Sequence, residues 1–356
     1  MRVDGDTAAV GIGGRRVGDG FPPLVIAEMS GNHNRSLERA LQIVDAAAHA
    51  GAHAVKLQTY TADTMTLDLP DAPFRIADPG SPWNGKTLYQ LYREAHTPWQ
   101  WHRPIFERCR ELGMIGFSSA FDASAVDFLE SLEVPCYKIA SFENVDLPLI
   151  RKVASTGKPL IMSTGMASLA ELDEAVQAAR GAGCRELILL KCTSSYPAPV
   201  QDSNLLTIPH LRELFGCPVG LSDHTLGAGA AVASVALGAA AIEKHLTLRR
   251  SDGGVDAAFS LEPPELEMLV REVEDAWRAL GRVQYGPSPA ERGLLAFRRS
   301  LYIVRDMRAG EQLSGENLRA LRPGVGLPPK FYDLLIGRCV RRDVKQGTAV
   351  TWDLVS

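Results

Sequence analysis

The sequence lacks the features that mark several large classes of protein. No segment approaches the roughly 18 continuous apolar residues of a membrane-spanning helix, and the N-terminal MRVDGDTAAV lacks the basic and apolar regions of a signal peptide. The 38 basic and 42 acidic residues nearly balance, so there is no excess of positive charge for binding nucleic acid. A Walker-type phosphate-binding loop is absent from the sequence. We therefore expect a soluble cytoplasmic protein that binds neither membranes nor nucleic acid.

Cysteine and lysine are both sparse. The six cysteines are widely spaced and form no C-x-x-C pair, which excludes a disulfide framework or a cysteine zinc site as the basis of the fold. The chain is long enough to bury a core without such cross-links. Only nine of the 38 basic residues are lysine, and the rest are arginine. The positions of so few lysines are therefore informative.

Short apolar runs alternate with longer segments of helical spacing. There are eight such runs, at residues 24–28, 54–58, 114–119, 136–141, 159–164, 186–193, 217–223 and 240–245. Strands without polar alternation are buried on both faces, as parallel strands covered by helices are. The pattern predicts a (β/α)8 TIM barrel, with an open doubly wound sheet as the alternative. The N-terminal AVGIGGRRVGDG predicts a hairpin around Gly13-Gly14 that closes the barrel floor.

The alternating pattern stops near Gly281. A stretch rich in Gly and Pro follows, and after it come short strands and turns without a long helix. We predict a barrel domain with its hairpin over 1–285, a linker over 286–296 and a small β-rich domain over 297–356.

Polar residues collect where the predicted strands end, which is where TIM barrels carry their active sites. Four lysines stand in or at the ends of these strands, namely Lys56, Lys138, Lys191 and Lys244. Serines and threonines accompany them, and lysines with hydroxyl groups bind phosphate or carboxylate. We expect a local positive pocket for a small dianion. The alternative for any one of these residues is a solvated charge, a turn or a helix cap.

His224 and His245 follow consecutive predicted strands, which places them near each other in space. Imidazole suits Mn, Co, Fe or Zn, and two histidines leave open positions for water and substrate. The alternative is a hydrogen-bonded core pair. Glu28 ends the first apolar run, so burial could raise its pKa and suit it to proton transfer. A salt bridge to Lys56 is the alternative for Glu28.

The motifs IAEMSGNHN, VKLQTYTADTMTL, YKIASFE, LKCTSSYP, GLSDHTLG and IEKH resemble the sialic acid synthase family. The tail, with SLYIVRDMRAGEQLS and LRPGVGLPPKFY, resembles the C-terminal antifreeze-like (SAF) domain of that family. The motifs EMSGNHN, WHRPIFE and YKIASFE resemble those of pseudaminate-type members more than those of N-acetylneuraminate synthases. The resemblance covers nearly the whole chain.

The resemblance implies an enzyme that condenses phosphoenolpyruvate with an amino-sugar aldehyde, and that uses a divalent metal (Mn²⁺, Mg²⁺ or Co²⁺). By resemblance, His224 and His245 hold the metal, and Glu28 and Tyr196 are catalytic. The residues that match the phosphoenolpyruvate site are Lys56, Ser119, Lys138, Ser141, Ser163, Ser194 and Ser222. Those that match sugar-side positions are Gln58, Glu143, Tyr196, Asp256 and Arg322.

The resemblance also implies a swapped homodimer, in which Arg322 reaches the active site of the other protomer. Ser194 stands where neuraminate synthases have asparagine, as in pseudaminate-type members. The implied sugar is then 2,4-diacetamido-2,4,6-trideoxy-L-altrose, with Phe121, Phe142 and Met29 as candidate apolar walls or simple core residues. A neuraminate or legionaminate synthase is the alternative within the family. A non-catalytic carbohydrate-binding protein is the alternative outside it.

Overall fold

A computed structural model describes residues 9–81 and 83–356 of the chain. It divides into two units, one ending at Gly281 and the other running from Arg282 to Ser356. The predicted linker (286–296) and C-terminal domain (297–356) both fall in the second unit.

The first unit contains a closed barrel of eight parallel strands. The last barrel strand pairs with both the first and the seventh, which excludes the open doubly wound sheet. All eight predicted strands are confirmed. They are β3 (Leu24–Glu28), β4 (Ala54–Thr59), β5 (Ile115–Ala120), β6 (Tyr137–Ile139), β7 (Leu160–Ser163), β8 (Leu187–Cys192), β9 (Val219–Asp223) and β10 (Ala241–His245).

Helices follow each barrel strand. They are α1 (Leu37–His49), α2 (Ala62–Met65), α3 (Leu88–Ala95), α4 (His102–Glu111), α5 (Ala123–Ser131), α6 (Leu147–Ala154), α7 (Leu169–Gly181), α8 (Thr207–Phe215), α9 (Gly229–Ala236) and α10 (Pro263–Leu280). Side chains fix several starts: Ser36 accepts from Arg39 N, and Ser168 forms a capping box with Glu171. Among the described residues no helix combines the length and the apolar character needed to cross a membrane.

Alternate residues of each strand pack into two separate cores. One set, which includes Ile26, Phe117 and Ile188, fills the barrel interior, and the other, which includes Val25 and Leu57, packs against the helices. The predicted hairpin is present as β1 (Val10–Ile12) and β2 (Arg15–Val17). Its apolar residues join the interior core, as expected for a hairpin that closes one end of the barrel.

The second unit has a core of its own and little helix. Strands β11 (Ser300–Ile303) and β12 (Leu318–Leu321) pair antiparallel, and its α-helix α11 (Tyr332–Leu335) spans four residues. The predicted linker is not irregular throughout, because a 3-10 helix spans Pro289–Phe297. Ser288 and Glu291 form a capping box at its start. The linker prediction relied on the Gly and Pro content and did not consider this helix-start signal.

Candidate active site

The inward-facing polar residues meet at the carboxyl ends of the barrel strands. Side chains two residues apart lie on the same face of a strand. These polar residues therefore lie on the same face as the apolar residues that fill the barrel interior. The strand register aligns Glu28 with Lys56, and Ser119 with Lys138. On the other side of the barrel it aligns His245 with Glu28, which closes the ring of polar residues.

Two lysines and two glutamates alternate at the centre of this mouth. Lys56 Nζ lies 2.7 Å from Glu28 Oε2 and 3.6 Å from Glu243 Oε2. Lys138 Nζ lies 3.9 Å from Glu243 Oε1. The ion pair of Glu28 with Lys56 is therefore present. Because the lysines are matched by carboxylates, the side chains alone do not make the positive pocket expected from the sequence.

Burial and charge act in opposite directions on these groups. Burial raises the pKa of Glu28 above its ordinary value, although Lys56 opposes the effect. Burial disfavours the Lys56 ammonium, but Glu243 and Glu28 outweigh it and raise the pKa of Lys56. Burial lowers the pKa of Lys138 despite Glu243. Glu28 is therefore the carboxyl group of the ring in which a proton is held most readily.

The predicted anion-site serines contact the lysines. Lys56 Nζ donates to Ser119 Oγ at 3.2 Å, and Lys138 Nζ donates to Ser163 Oγ at 2.7 Å. Ser222 Oγ donates to Glu243 Oε1 at 3.0 Å. Each lysine thus holds a hydroxyl group beside its own charge, which gives a phosphate or carboxylate both a cation and hydrogen-bond donors.

Ser141 and Ser194 meet beside the backbone of Gly165. Gly165 N donates to Ser141 Oγ at 3.2 Å. A Cβ at residue 165 would lie only 2.3 Å from Ser194 Oγ and 2.6 Å from Ser141 Oγ. Glycine at this position lets Ser141 and Ser194 approach the backbone that follows β7.

His224 and His245 lie together, with ring centroids 5.3 Å apart. His224 Nδ1 is 3.0 Å from Thr193 O, a contact in which it donates, so Nε2 is the nitrogen through which the neutral ring would bind a metal. Burial and the neighbouring His224 lower the pKa of His245, which favours the neutral imidazole that metals bind. His245 Nδ1 is buried without a hydrogen-bond partner.

Asp256 completes the surroundings of the histidine pair. Its Oδ2 lies 4.0 Å from His245 Nδ1 and accepts a short hydrogen bond from Ser30 Oγ. Ser30 has a φ of 47°, a left-handed conformation that favours glycine. Among the described residues no three His, Cys, Asp or Glu are already placed as a complete metal-binding group. The chemistry of the pair fits two protein ligands, with water or substrate as the others.

The sugar-side predictions fall around the same mouth. Gln58 Nε2 donates to Glu28 Oε1 at 3.0 Å. Burial raises the pKa of Glu143 to about 7, and its buried Oε2 has no hydrogen-bond partner. The Tyr196 ring lies 4.5 Å from the His224 ring. Arg322 belongs to the second unit, where it is exposed directly after β12, and its place in the site stays a prediction.

Two of the four strand lysines are not part of this set, contrary to expectation. Lys244 Nζ forms a buried ion pair with Asp223 at 2.7 Å. Lys191 Nζ donates to Thr193 Oγ1 at 2.6 Å and to Asp202 O. Each of these lysines comes directly after an inward-facing residue of its strand. Because side chains alternate between the two faces of a strand, both lysines lie on the face toward the helix layer. The prediction counted every lysine at a strand end without considering which face of the strand it lies on. It therefore placed inward-facing and outward-facing lysines in one set.

Of the three candidate apolar walls, one proves to be a core residue. Met29 is fully buried in the outer core and cannot line a substrate pocket. Phe142 is exposed, and Phe121 packs edge-on against Tyr60 with centroids 5.1 Å apart.

Sequence reasoning gave no role to Glu243 or Trp83. Glu243 lies two residues before His245 in the same strand, so the two-residue period could have placed both on the inner face. Trp83 reaches the mouth from a long connection, and its ring lies 5.8 Å from Tyr196. No local pattern marks such a residue.

Comparison with known proteins places the chain in a family. Residues 43–285 match the NeuB family, and residues 298–356 match the SAF domain. The chain belongs to the NeuB family. The predicted fold, a TIM barrel followed by a SAF domain, is confirmed, and so is the resemblance stated for the motifs.

Members of the family that act on different sugars resemble this chain. It is 42% identical over 334 residues to the pseudaminic acid synthase of Helicobacter pylori, covering 93% of this chain and 97% of that one. It is 43% identical to the pseudaminic acid synthase of Campylobacter jejuni, covering 92% and 95%. A structure of N-acetylneuraminic acid synthetase from Leptospira borgpetersenii in complex with citrate is 30% identical, with a TM-score of 0.72, and covers 81% of this chain and 95% of that one.

Proposed function

We propose that this protein condenses phosphoenolpyruvate with 2,4-diacetamido-2,4,6-trideoxy-L-altrose and water to give pseudaminic acid and inorganic phosphate. The observation that carries the reaction type is the meeting of the lysine–serine set with the histidine pair at one barrel mouth. An anion and an aldehyde can be bound side by side there. The choice of sugar rests on the similarity to pseudaminic acid synthases.

The lysines and hydroxyl groups bind phosphoenolpyruvate. Lys56 and Lys138 face its phosphate and carboxylate, and the hydroxyl groups of Ser119 and Ser163 add donors. Ser141, Ser194 and Ser222 belong to the same set in our proposal. Because the carboxylates of Glu28 and Glu243 offset the lysine charges, anion binding needs a further positive charge at the mouth.

His224 and His245 would hold a divalent metal ion (Mn²⁺, Mg²⁺ or Co²⁺), which would supply that charge and polarise the aldehyde oxygen. The hydrogen bond from His224 Nδ1 to Thr193 O fixes the ring orientation. Asp256, held by Ser30, lies beside His245 and contacts the sugar.

The bonds change in two steps. C3 of phosphoenolpyruvate attacks the aldehyde carbon, whose oxygen takes a proton and becomes a hydroxyl group. Water then adds at C2 and gives up a proton. In the resulting tetrahedral intermediate, the bond between C2 and the phosphate-bearing oxygen breaks and releases phosphate. Glu28, held by Lys56 and Gln58, orients that water and takes its proton. Tyr196 and Glu143 position the sugar.

We also propose that the active unit is a homodimer in which Arg322 of the partner subunit completes each sugar site. Arg322 is exposed in the second unit of this chain, and its guanidinium is free to bind sugar hydroxyl or acetamido oxygens. The motif that contains it is among those that resemble the family.

The experiment is to measure phosphate release from phosphoenolpyruvate with a panel of 2-acetamido and 2,4-diacetamido hexoses, and to identify the product by mass spectrometry. We expect turnover with 2,4-diacetamido-2,4,6-trideoxy-L-altrose and little with N-acetylmannosamine. Release with N-acetylmannosamine alone would show a neuraminate synthase, and release with the 2,4-diacetamido mannose isomer alone would show a legionaminate synthase. Binding of sugar without phosphate release would show a non-catalytic protein.

Chelation tests the metal in the same assay. EDTA followed by desalting should abolish phosphate release, and added Mn²⁺ should restore it in the wild type but not in His224→Ala. Calorimetric Mn²⁺ titration should show binding to the wild type and not to the variant, at an unchanged melting temperature. Full turnover in EDTA contradicts the metal.

A further inference from the structure

Trp83 stands beside the candidate active site on a segment that belongs to no barrel strand or helix. The segment joins α2 to α3 and folds back on itself. Ile76 N donates to Lys86 O at 2.9 Å, and Arg75 pairs with Thr87 in an antiparallel bridge. Trp83 therefore lies near the tip of a hydrogen-bonded loop, whose stem holds the tip in place.

The indole contacts two other loops of the barrel mouth. Its ring lies 5.8 Å from the ring of Tyr196, which in turn lies 4.5 Å from the ring of His224. Its Nε1 donates to Val255 O at 2.8 Å, next to Asp256. Trp83, Tyr196 and His224 thus form a series that leads from the histidine pair outward.

The hydrogen bond to Val255 decides the chemistry of the surface that Trp83 presents. Nε1–H is the only polar group of a tryptophan side chain, and here it is already used. What remains for a ligand is an apolar aromatic face, which binds C–H groups well. Burying a hydroxyl group against such a face without a hydrogen-bond partner is unfavourable.

We propose that Trp83 is a specificity-determining residue, the apolar wall against which the 6-methyl end of the sugar packs. The inference rests on the proposed function. With the aldehyde at the histidine pair, the carbon chain runs past Tyr196 and its far end reaches Trp83. N-acetylmannosamine carries a hydroxyl group on C6, which the indole face would strip of water without replacing the lost hydrogen bonds.

The decisive variant is Trp83→Ala, with Trp83→Gln as a second that keeps some bulk but is polar. We expect the KM for the 2,4-diacetamido-6-deoxy sugar to rise about ten-fold, while N-acetylmannosamine affinity, measured as turnover or as competitive inhibition, changes far less. The KM for phosphoenolpyruvate should stay unchanged. The preference between the two sugars should therefore fall by about the same ten-fold.

Two matched variants test whether Trp83 contacts the sugar or only anchors its own loop. Trp83→Phe loses the bond to Val255 O but keeps an aromatic face, so the sugar preference should persist. Trp277→Phe makes the same change in α10, where the tryptophan packs against the outer core, and should alter neither KM. Melting temperatures of all variants confirm that each is folded.

Three outcomes overturn the inference while leaving the proposed function intact. They are an unchanged sugar preference in Trp83→Ala and Trp83→Gln, an equal rise in the KM for phosphoenolpyruvate and for sugar, and a Trp83→Phe variant as impaired as Trp83→Ala. A wild-type enzyme without activity on any sugar of the panel overturns the proposed function itself, and the inference with it.

Discussion

Glu143 is a residue of the candidate site whose charge is open to change near neutral pH. Burial raises its pKa from 4.5 to about 7, and its buried Oε2 has no hydrogen-bond partner. Lys138 opposes the effect without cancelling it. An unpartnered carboxyl group in such a place costs folding stability when it ionises, which is expected of a group kept for a ligand.

Glu143→Gln should stabilise the barrel at pH 8 but not at pH 4. Below pH 4.5 the carboxyl group is protonated in both the folded and the unfolded chain. As the pH rises from 4.5 to about 7, only the unfolded chain loses the proton, so folded-state stability falls, and the deficit is complete above 7. We expect a gain of about 1–3 kcal/mol at pH 8, measured by calorimetry of the metal-free protein.

Glu171→Gln is the control with the opposite sign. Glu171 accepts from Ser168 at the start of α7, and these hydrogen bonds lower its pKa. Its removal should not stabilise the protein at pH 8. An effect of Glu143→Gln that is equal at both pH values would show that ionisation is not its cause.

At the scale of elements, β9 and β10 are joined on their outer side by a buried ion pair. Lys244 Nζ lies 2.7 Å from Asp223 Oδ2 and also donates to Thr225 O. Both side chains are almost fully buried. His224 directly follows the first of these strands, and His245 ends the second.

Lys244→Met should lower stability by about 3–5 kcal/mol, because it leaves the Asp223 carboxylate buried and unpaired. The KM for phosphoenolpyruvate should be unchanged, since Lys244 does not face the mouth. The measurement is thermal unfolding together with steady-state kinetics.

Asp223→Asn added to Lys244→Met should recover part of the lost stability, because no charge is then left unpaired. Lys345→Met removes an exposed lysine–aspartate pair instead, and should change stability far less than Lys244→Met does. A raised KM for phosphoenolpyruvate in Lys244→Met, without loss of stability, would show that this lysine belongs to the anion site.

At the scale of the whole molecule, the proposed swapped dimer makes each active site from two chains. Glu28 comes from the barrel of one protomer, and Arg322 comes from its partner. Arg322→Ala alone should weaken sugar use more than phosphoenolpyruvate binding.

Mixed dimers test the swap directly. Co-expressed Glu28→Gln and Arg322→Ala chains should show more activity than either variant alone, because one site of each mixed dimer receives Glu28 and the partner's Arg322. One of the two sites in each mixed dimer is complete, so purified mixed dimers should show about one half of wild-type activity. Phosphate release by doubly tagged, co-purified dimers is the measurement.

The control pair is Glu28→Gln with His224→Ala. Both lesions lie in the barrel, so every site of a mixed dimer stays defective and no activity should return. No recovery with the first pair, in dimers that do form, would mean that Arg322 serves the barrel of its own chain or none.

Local patterns in the sequence determined the architecture and most of the candidate site. Eight apolar runs followed by helical segments predicted a barrel, since buried parallel strands need apolar residues on both faces. The polar residues at the strand ends were predictable for the same reason, because parallel strands bring their carboxyl ends to one mouth. The family itself was visible in the motifs.

Only the tertiary structure decided which of those residues face each other. The parity of each strand sends Lys56 and Lys138 inward and Lys244 outward, and the closure of the barrel sets Glu243 between the two inward lysines. Trp83 reaches Tyr196 through a long connection. Distances between residues far apart in sequence depend on how the strands close and the loops fold back, and no local pattern carries that information.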